Sequence, residues 1–403
     1  MDEQQPQTER DQPGATGQDR YLPSFYLLLV ANLFFFTGFQ WTFATLPDYV
    51  QAIGGNAAQI GLAFGLFSLS AVAARPLVGR LVDSWGRKPV LLSGALLFAL
   101  SPALYMVTRS VLPFQLVRLL HGVGIAAFTT AYTTLVADLA PPGRRGEAIG
   151  LSGVTNNLGM VFAPALGSYT AAQAGWTVHF ALSAGITAIT VLLLLPVVEP
   201  VRRPAPKGQS PRLRAVVRRR TVWVAAFGIT GLAVAYGAIL SFLAPFAGER
   251  NLSVAGGYFT AFALAMMVAQ AVAGWLSDRV GRRAVAIPGL VLVVLAMTGL
   301  GLAGSDAGLL AAGAVFGLSW GLARAGIDTS VVDAVSPKER GTAVGFLYTM
   351  FDAGVGVGSF GLGVVAQSWG YAAAFYAAAI WAAVALAGYL AWGRARTGAQ
   401  LAD

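Results

Sequence analysis

Apolar residues fall along this chain in twelve stretches, each about 18 to 28 residues long, with polar and charged residues gathered in the short gaps between them. The stretches cover about residues 23–46, 57–78, 90–107, 112–139, 147–170 and 177–198, then 221–246, 253–277, 284–303, 307–334, 341–364 and 371–392. A helix of about 20 residues crosses the hydrocarbon of a bilayer, so each stretch is numbered below as a predicted span. Three segments break the pattern. Residues 1–22 are rich in Gln, Asp, Pro and Gly and read as a disordered tail, with neither the apolar core nor the cleavage site of a signal peptide. Residues 199–220, EPVRRPAPKGQSPRLRAVVRRR, read as a Pro- and Arg-rich linker, and 393–403 as a second tail. The expected units are thus six spans over 23–198 and six over 221–392.

Composition agrees with a bilayer as solvent. Apolar residues make up 56% of the chain and charged residues 11%, against roughly 25% charged in a soluble domain. The net charge of +9 does not indicate nucleic acid, because the basic residues sit in loops between apolar runs. If the N-terminus is cytoplasmic, only Arg109 and Arg250 fall outside, and Arg75, Arg118 and Arg324 fall inside spans. The other 22 of 27 basic residues then lie on the cytoplasmic side, a bias that sets topology in a cell membrane.

Candidate chemistry is narrowed as much by what is missing. The chain has no Cys and two His, His121 and His179, so no metal site or cofactor is expected. It contains no phosphate-binding G-x(4)-G-K-[S/T] loop, which argues against ATP as the direct energy source. No Ser-His or His-Glu-His constellation lies in the spans, so an enzyme is not expected.

The chain repeats itself. Gly79–Lys88, GRLVDSWGRK, returns 195 residues later as Gly274–Arg283, GWLSDRVGRR. The same shift carries Asp138 onto Asp333, Arg145 onto Arg340, Gly146 onto Gly341, Gly150 onto Gly345 and Gly159 onto Gly354. Each half is therefore a complete unit.

Two six-span halves, a basic linker and a repeated G-x-L-x-D-x-x-G-R-[K/R] turn resemble the major facilitator superfamily, whose halves are parallel repeats. The resemblance covers about residues 23–392. It implies an all-α membrane protein of two pseudo-symmetric six-helix bundles, with a cavity formed by spans 1, 4, 7 and 10 at mid-depth. It also implies secondary transport by alternating access, with lipid, a small molecule and protons as partners, and a monomer as the working unit.

The turn after span 2 (Gly79, Asp83, Arg87, Lys88) and its second copy (Gly274, Asp278, Arg282) are expected to form a cytoplasmic gate. Gly79 would admit another helix closely. Asp83 would sit on the N-terminal end of span 11, and Arg87 would pair with Asp138, as Arg282 with Asp333. Such contacts would exist only when that side is closed.

Span 5 carries Gly150, Gly159, Ala163, Pro164 and Gly167, which resembles the antiporter motif of exporters and is expected to pack against span 8. Span 4 carries Arg118, His121, Gly122 and Gly124, similar to an R-x-x-Q-G-x-G pattern. Arg118 either modulates a nearby proton site or holds the first half together through carbonyls of span 1. Arg324 and Asp328, four apart in span 10, share a helix face. Asp352 lies near the bilayer middle in span 11, and the 195 shift takes it onto Asn157. It either pairs with Arg324 or stands ready to carry a proton, and it is the first candidate for coupling.

Asn32 and Gln40 interrupt the apolar first span, and Asp48 stands at its far end, a cap or a proton entry. Arg75 is read as reaching along the helix to the membrane surface, or as a gate residue. Together these features point to a proton-coupled exporter of small amphipathic or drug-like compounds. A sugar, metabolite or lipid-linked glycan exporter is the alternative, and a non-transporting sensor the rival of another class.

Overall fold

The computed structural model describes residues 21–141, 144–199, 216–336 and 339–394. The tails at 1–20 and 395–403 and the linker core at 200–215 lie outside the described residues. Among the described residues the chain is helical, with α1 (Pro23–Phe43), α2 (Leu46–Ala52), α3 (Ala57–Trp85), α4 (Arg87–Tyr105), α5 (Val111–Leu139) and α6 (Arg145–Leu194) in the first half. The second half contributes α7 (Arg220–Glu249), α8 (Ala255–Val280), α9 (Arg282–Leu302), α10 (Asp306–Ala334), α11 (Arg340–Trp369) and α12 (Tyr371–Arg394). Eleven of these helices are long and apolar enough to cross a membrane.

The twelfth crossing is inside α6. The sequence predicts a short loop between spans 5 and 6, but two helices meet there at a kink, where Gly175 alone leaves helical geometry, at φ 77°. The corresponding glycine of the second half, Gly370, has φ 82° and separates α11 from α12. A residue with a side chain rarely adopts such angles, so one glycine replaces a loop in each half. Span 1 departs the other way. It ends at Phe43, and α2 follows as a separate short helix with Asp48 in its first turn.

Local sequence explains the other boundaries. Asn56 and Gln59 cap α3 reciprocally, each side chain accepting from the other's backbone N–H at 3.0 Å. Gly86 and Gly281, the second glycines of the repeated turn, have φ 104° and 93° and let α3 and α8 stop where α4 and α9 begin.

In the first half α1 packs on α6, and α4 and α3 on α5. In the second α8 and α9 pack on α10, and α7 on α11 and α12. Two seams join the halves, α3 against α11 and α6 against α8. The linker-side ends of the helices carry the repeated turns, and that side is called the basic face below.

Between the halves, close packing belongs to the half of the membrane away from the basic face. A Cβ on Gly61 or Gly363 would strike the backbone across the α3–α11 seam, and one on Gly256 would strike Ala165 across the α6–α8 seam. Gln51 donates to the Tyr371 hydroxyl at 2.9 Å, and the Gln367 carbonyl accepts from Ala57 N at 3.2 Å. Towards the basic face the seams part. A Cβ on Gly79, Gly146, Gly150, Gly153, Gly274 or Gly345 would meet nothing within 4 Å.

Candidate functional site

Where the seams begin to part, a cavity of about 110 Å³ lies between the two halves. Helices α1 and α3 line it with Phe39, Phe43, Phe64, Phe67, Ser68, Ala71 and Arg75, α5 with Ile125, and the second half with Tyr236, Leu240, Phe351, Asp352 and Val355. Six aromatic rings thus surround one arginine and one carboxylate. Gln40 of α1 lies within reach of the Tyr236 hydroxyl.

Asp352 does not pair with Arg324. Its Oδ2 accepts from Nη2 of Arg75, across the α3–α11 seam. Arg75 therefore does not extend to the membrane surface. It is ten residues from the end of α3, roughly 15 Å deep at about 1.5 Å per residue, and Asp352 reaches a similar depth on α11. Their side chains keep 25% and 24% exposure, so the pair can be reached from the cavity. Arg324 instead holds its own helical neighbour, Nε to Asp328 Oδ2 at 3.1 Å, with its guanidinium over the rings of Tyr348 and Phe351.

The 195 shift takes Arg75 onto Gln270 and Asp352 onto Asn157. Those two residues meet as well: Asn157 Nδ2 donates to Gln270 Oε1 at 3.2 Å across the α6–α8 seam. The two seams are thus bridged at equivalent points, once by an ion pair and once by neutral amides.

Arg118 is fully buried, as is His121. Its Nε donates to the carbonyl of Ala63 on α3 at 3.1 Å, not to a carbonyl of α1 as one reading expected. Its Nη1 lies 3.3 Å from His121 Nδ1, which also meets the Tyr105 hydroxyl at 2.9 Å. The guanidinium carbon sits 4.5 to 5.2 Å from the ring centres of Phe43, Phe64 and Phe67. These rings separate it from the cavity, and its Nη2 has no partner. The shift takes Arg118 onto Gly313 and Ala63 onto Tyr258. At Gly313 an added Cβ would meet the ring and carbonyl of Tyr258. One half fills this space with an arginine on its fourth span, the other with a tyrosine on its second.

Asn32 is likewise removed from the cavity. Its amide nitrogen donates within the first half, to Thr155 Oγ1 at 2.7 Å and to Asn156 Oδ1, tying α1 to α6. Asp48, half-buried in α2 beyond the spans, has its carboxyl pushed up to about 6 by burial. The glycines of the antiporter-like stretch also pack differently from expectation. Gly159 lies against Thr37 and Gly167 against Trp41, both on α1, and Ala163 is fully buried. Contact with α8 is made instead by Ala165 with Gly256 and by the Val161 carbonyl, which accepts from Thr260 at 2.7 Å. Pro164 lies inside α6, and Gly150 has open space beside it.

The repeated turns form matching ion pairs. Arg87 Nε donates to Asp138 Oδ2 at 2.9 Å, the pairing implied by the resemblance, and Arg282 Nε donates to Asp333 Oδ2 at 2.9 Å. Arg282 also holds Asp278. The last basic residue of each turn clasps the sixth helix of its own half, Lys88 Nζ on the Leu195 carbonyl at 2.6 Å and Arg283 on the Tyr389 carbonyl at 3.3 Å. Among the described residues one element belongs to the first turn alone: the Glu199 carboxylate accepts from the backbone N–H groups of Arg87 and Lys88 at 2.8 and 3.1 Å. Asp83 is exposed and the close approach expected at Gly79 is absent, so both ion pairs stand while the seams are parted here. Each lies within one half and is not confined to a closed basic face, as the resemblance had implied.

The sequence profile of the Major Facilitator Superfamily matches residues 28–259 and again 251–401. The chain belongs to this superfamily.

Within it, the chain is 28% identical over 149 residues to multidrug resistance protein 2 of Bacillus subtilis, a match covering 37% of each protein. The chain thus spans well under half the length of this relative. An MFS-type transporter of Methanocaldococcus jannaschii is 24% identical over 345 residues, 83% of this chain and 89% of that protein. Among solved structures, a bacterial homologue of the human lysosomal transporter Spinster, in an inward-facing and unoccupied conformation, superposes with a TM-score of 0.78. It shares 18% identity and covers 94% of this chain and 98% of its own. Family and fold are those of transporters rather than enzymes.

Against the superfamily plan, sequence reasoning missed Arg75 and Gln270 as partners. The signal was present, because the shift that relates Asp352 to Asn157 also relates Arg75 to Gln270. What a list of spans lacks is which helices face each other across the halves.

Proposed function

We propose that the protein is a proton-coupled exporter of small amphipathic or drug-like compounds, working by alternating access as a monomer in the cell's inner membrane. The carrying observation is the Arg75–Asp352 pair on the wall of an aromatic cavity shared by both halves. A carboxylate reachable from the cavity and held by a cation can exchange that cation for a proton, which gives a gradient something to act on. The ring-lined wall favours apolar substrates over sugars, which need many hydrogen-bonding partners. Relatedness to a multidrug resistance protein and the small-residue stretch of α6 support export.

In this reading the basic face is cytoplasmic, by the distribution of Lys and Arg. The two tails and the linker at 199–220 lie on that side, between bundles 23–198 and 221–392. Parted seams on the basic face then correspond to an inward-open state, in which Gly79 and Gly274 of the repeated turns have open space beside them while Arg87–Asp138 and Arg282–Asp333 brace each half. Asp352 carries the proton. Arg324, Asp328 and Gln40 shape the space around it, Asn157 bridges the other seam, and Arg118 is a pillar of the first half.

The test uses inverted membrane vesicles from expressing cells and dye substrates such as ethidium, with and without an imposed proton gradient. Wild-type vesicles are expected to accumulate dye only with the gradient, and Asp352→Asn vesicles to fall to the level of non-expressing membranes. Full gradient-driven uptake by that variant would remove Asp352 from the mechanism, and no dye movement by the purified protein in liposomes would favour a sensor.

A further inference from the structure

The two amide and ionic bridges carry more than a static description. Both cross between the halves, one in each seam, and each lies ten residues from the basic end of its second-span helix, Arg75 on α3 and Gln270 on α8. On the far side of each bridge the seam is packed backbone to backbone, and on the near side it is open. A rocking motion must exchange those two conditions, so each bridge stands at the boundary between the part of its seam that opens and the part that closes.

Resting on the transport reading above, we infer that rocking must stretch both bridges, and that only the Arg75–Asp352 bridge is a switch, holding the carrier inward-open while neither proton nor substrate is bound. The Asn157–Gln270 bridge joins two uncharged amides. Its small contribution is the same whatever the occupancy, because nothing in it titrates and its energy is that of one neutral hydrogen bond. The Arg75–Asp352 bridge joins full charges away from bulk water, where their attraction is greater than at a surface. Breaking it without compensation leaves a carboxylate at mid-depth without a partner.

A proton on Asp352 removes that attraction, and so does a substrate group that takes the place of Arg75. Arg324 also faces Asp352 electrostatically, but its charge is engaged by Asp328 on its own helix. Arg118 is screened from the site by the rings of Phe43 and Phe67. The consequence is obligatory exchange: the empty, deprotonated carrier stays where it is, and only a loaded one turns.

The absence of native Cys makes the test direct. Ser84→Cys on α3 and Thr342→Cys on α11 carry spin labels that report the separation of the halves at the basic face, in nanodiscs without substrate at pH 7.5. The parent is expected to give a single long-distance population. Asp352→Asn and Arg75→Gln should each raise a short-distance population at least about tenfold, the effect of losing one charge-assisted bridge. The charge-exchanged Arg75→Asp/Asp352→Arg protein should return to the long distance alone.

Asn157→Ala should leave the distribution as in the parent. Should Arg75→Gln fold poorly by size-exclusion chromatography, the other variants decide. The switch is overturned if Asp352→Asn keeps the parental distribution, or if the charge-exchanged protein behaves like the single variants. No gradient or substrate enters this measurement. A carrier that rocks as expected yet moves no dye would sink the export reading and leave the switch intact.

Discussion

Equivalent positions in the two halves of this transporter share a backbone and differ in chemistry. At mid-depth one seam is bridged by Arg75 and Asp352, the other by Gln270 and Asn157. One step away, Arg118 with Ala63 occupies the space that Gly313 with Tyr258 occupies in the other half. At the basic face Lys88 and Arg283 clasp their sixth helices alike, but Glu199 caps only α4. Helix order and close-packed glycines are thus kept by both copies, while the charges within the spans are not: the first holds Arg75 and Arg118, the second Arg324, Asp328 and Asp352. Geometry repeats because each half must pack as a bundle. Charge need not repeat, because a seam is bridged by a pair of amides as well as by an ion pair.

That contrast can be broken at several points. The largest effect is expected from Arg118→Gly, which empties a fully buried site in the first half and should cost about 3–5 kcal/mol of stability, like other large-to-small changes in a core. Adding Ala63→Tyr transplants the second half's solution. Recovery of thermal midpoint in the double variant would show that the two pairs solve one packing problem, and a double variant no better than the single would show that Arg118 does something else.

Next comes the repeated turn. Gly86 and Gly281 both hold backbone angles that other residues reach only at about 1–3 kcal/mol. A Cβ at Gly86 also meets the Glu199 carboxylate at 3.0 Å, whereas one at Gly281 meets nothing within 4 Å. Gly86→Ala should therefore lower the thermal midpoint in detergent more than Gly281→Ala, and equal losses would deny Glu199 its place against the turn.

Glu199→Gln should cost roughly 1 kcal/mol by removing a negative charge from the start of α4, read as a small drop in the same midpoint. Last comes a pH effect at Asp48, whose shifted counterpart is the buried Leu243. Burial raises its carboxyl from the ordinary 3.8 to about 6. The folded state thus favours the protonated form, so its contribution is whole below about pH 3.8 and is lost as pH rises through 6. The midpoint should fall over that window in the parent, and Asp48→Asn should flatten the fall.

Much of this was legible before any coordinates. The twelve spans and the duplication follow from apolar run length and the 195-residue shift, and Arg87 with Asp138 follows from the resemblance. The sequence leaves alternatives open where two arrangements put the same residues within reach. Asp352 and Arg324 are close enough to be a reasonable pair on paper, but Arg324 already has Asp328 one helical turn away. Arg75 was free to find Asp352 only because α3 faces α11. The small residues of α6 were assigned to α8 by resemblance. In the molecule the fourfold-spaced glycines admit α1, and the residues between them meet α8. A one-dimensional spacing rule says that a helix face is smooth, not which neighbour lies on it.

The reciprocal sizes at Ala63/Arg118 and Tyr258/Gly313 have a consequence for engineering. Where one copy places bulk on its fourth crossing and the other on its second, single-residue grafts between the copies produce either a collision or a void. Hybrids that move one partner without the other should misassemble, whereas exchanges of the whole two-residue unit stay interchangeable modules.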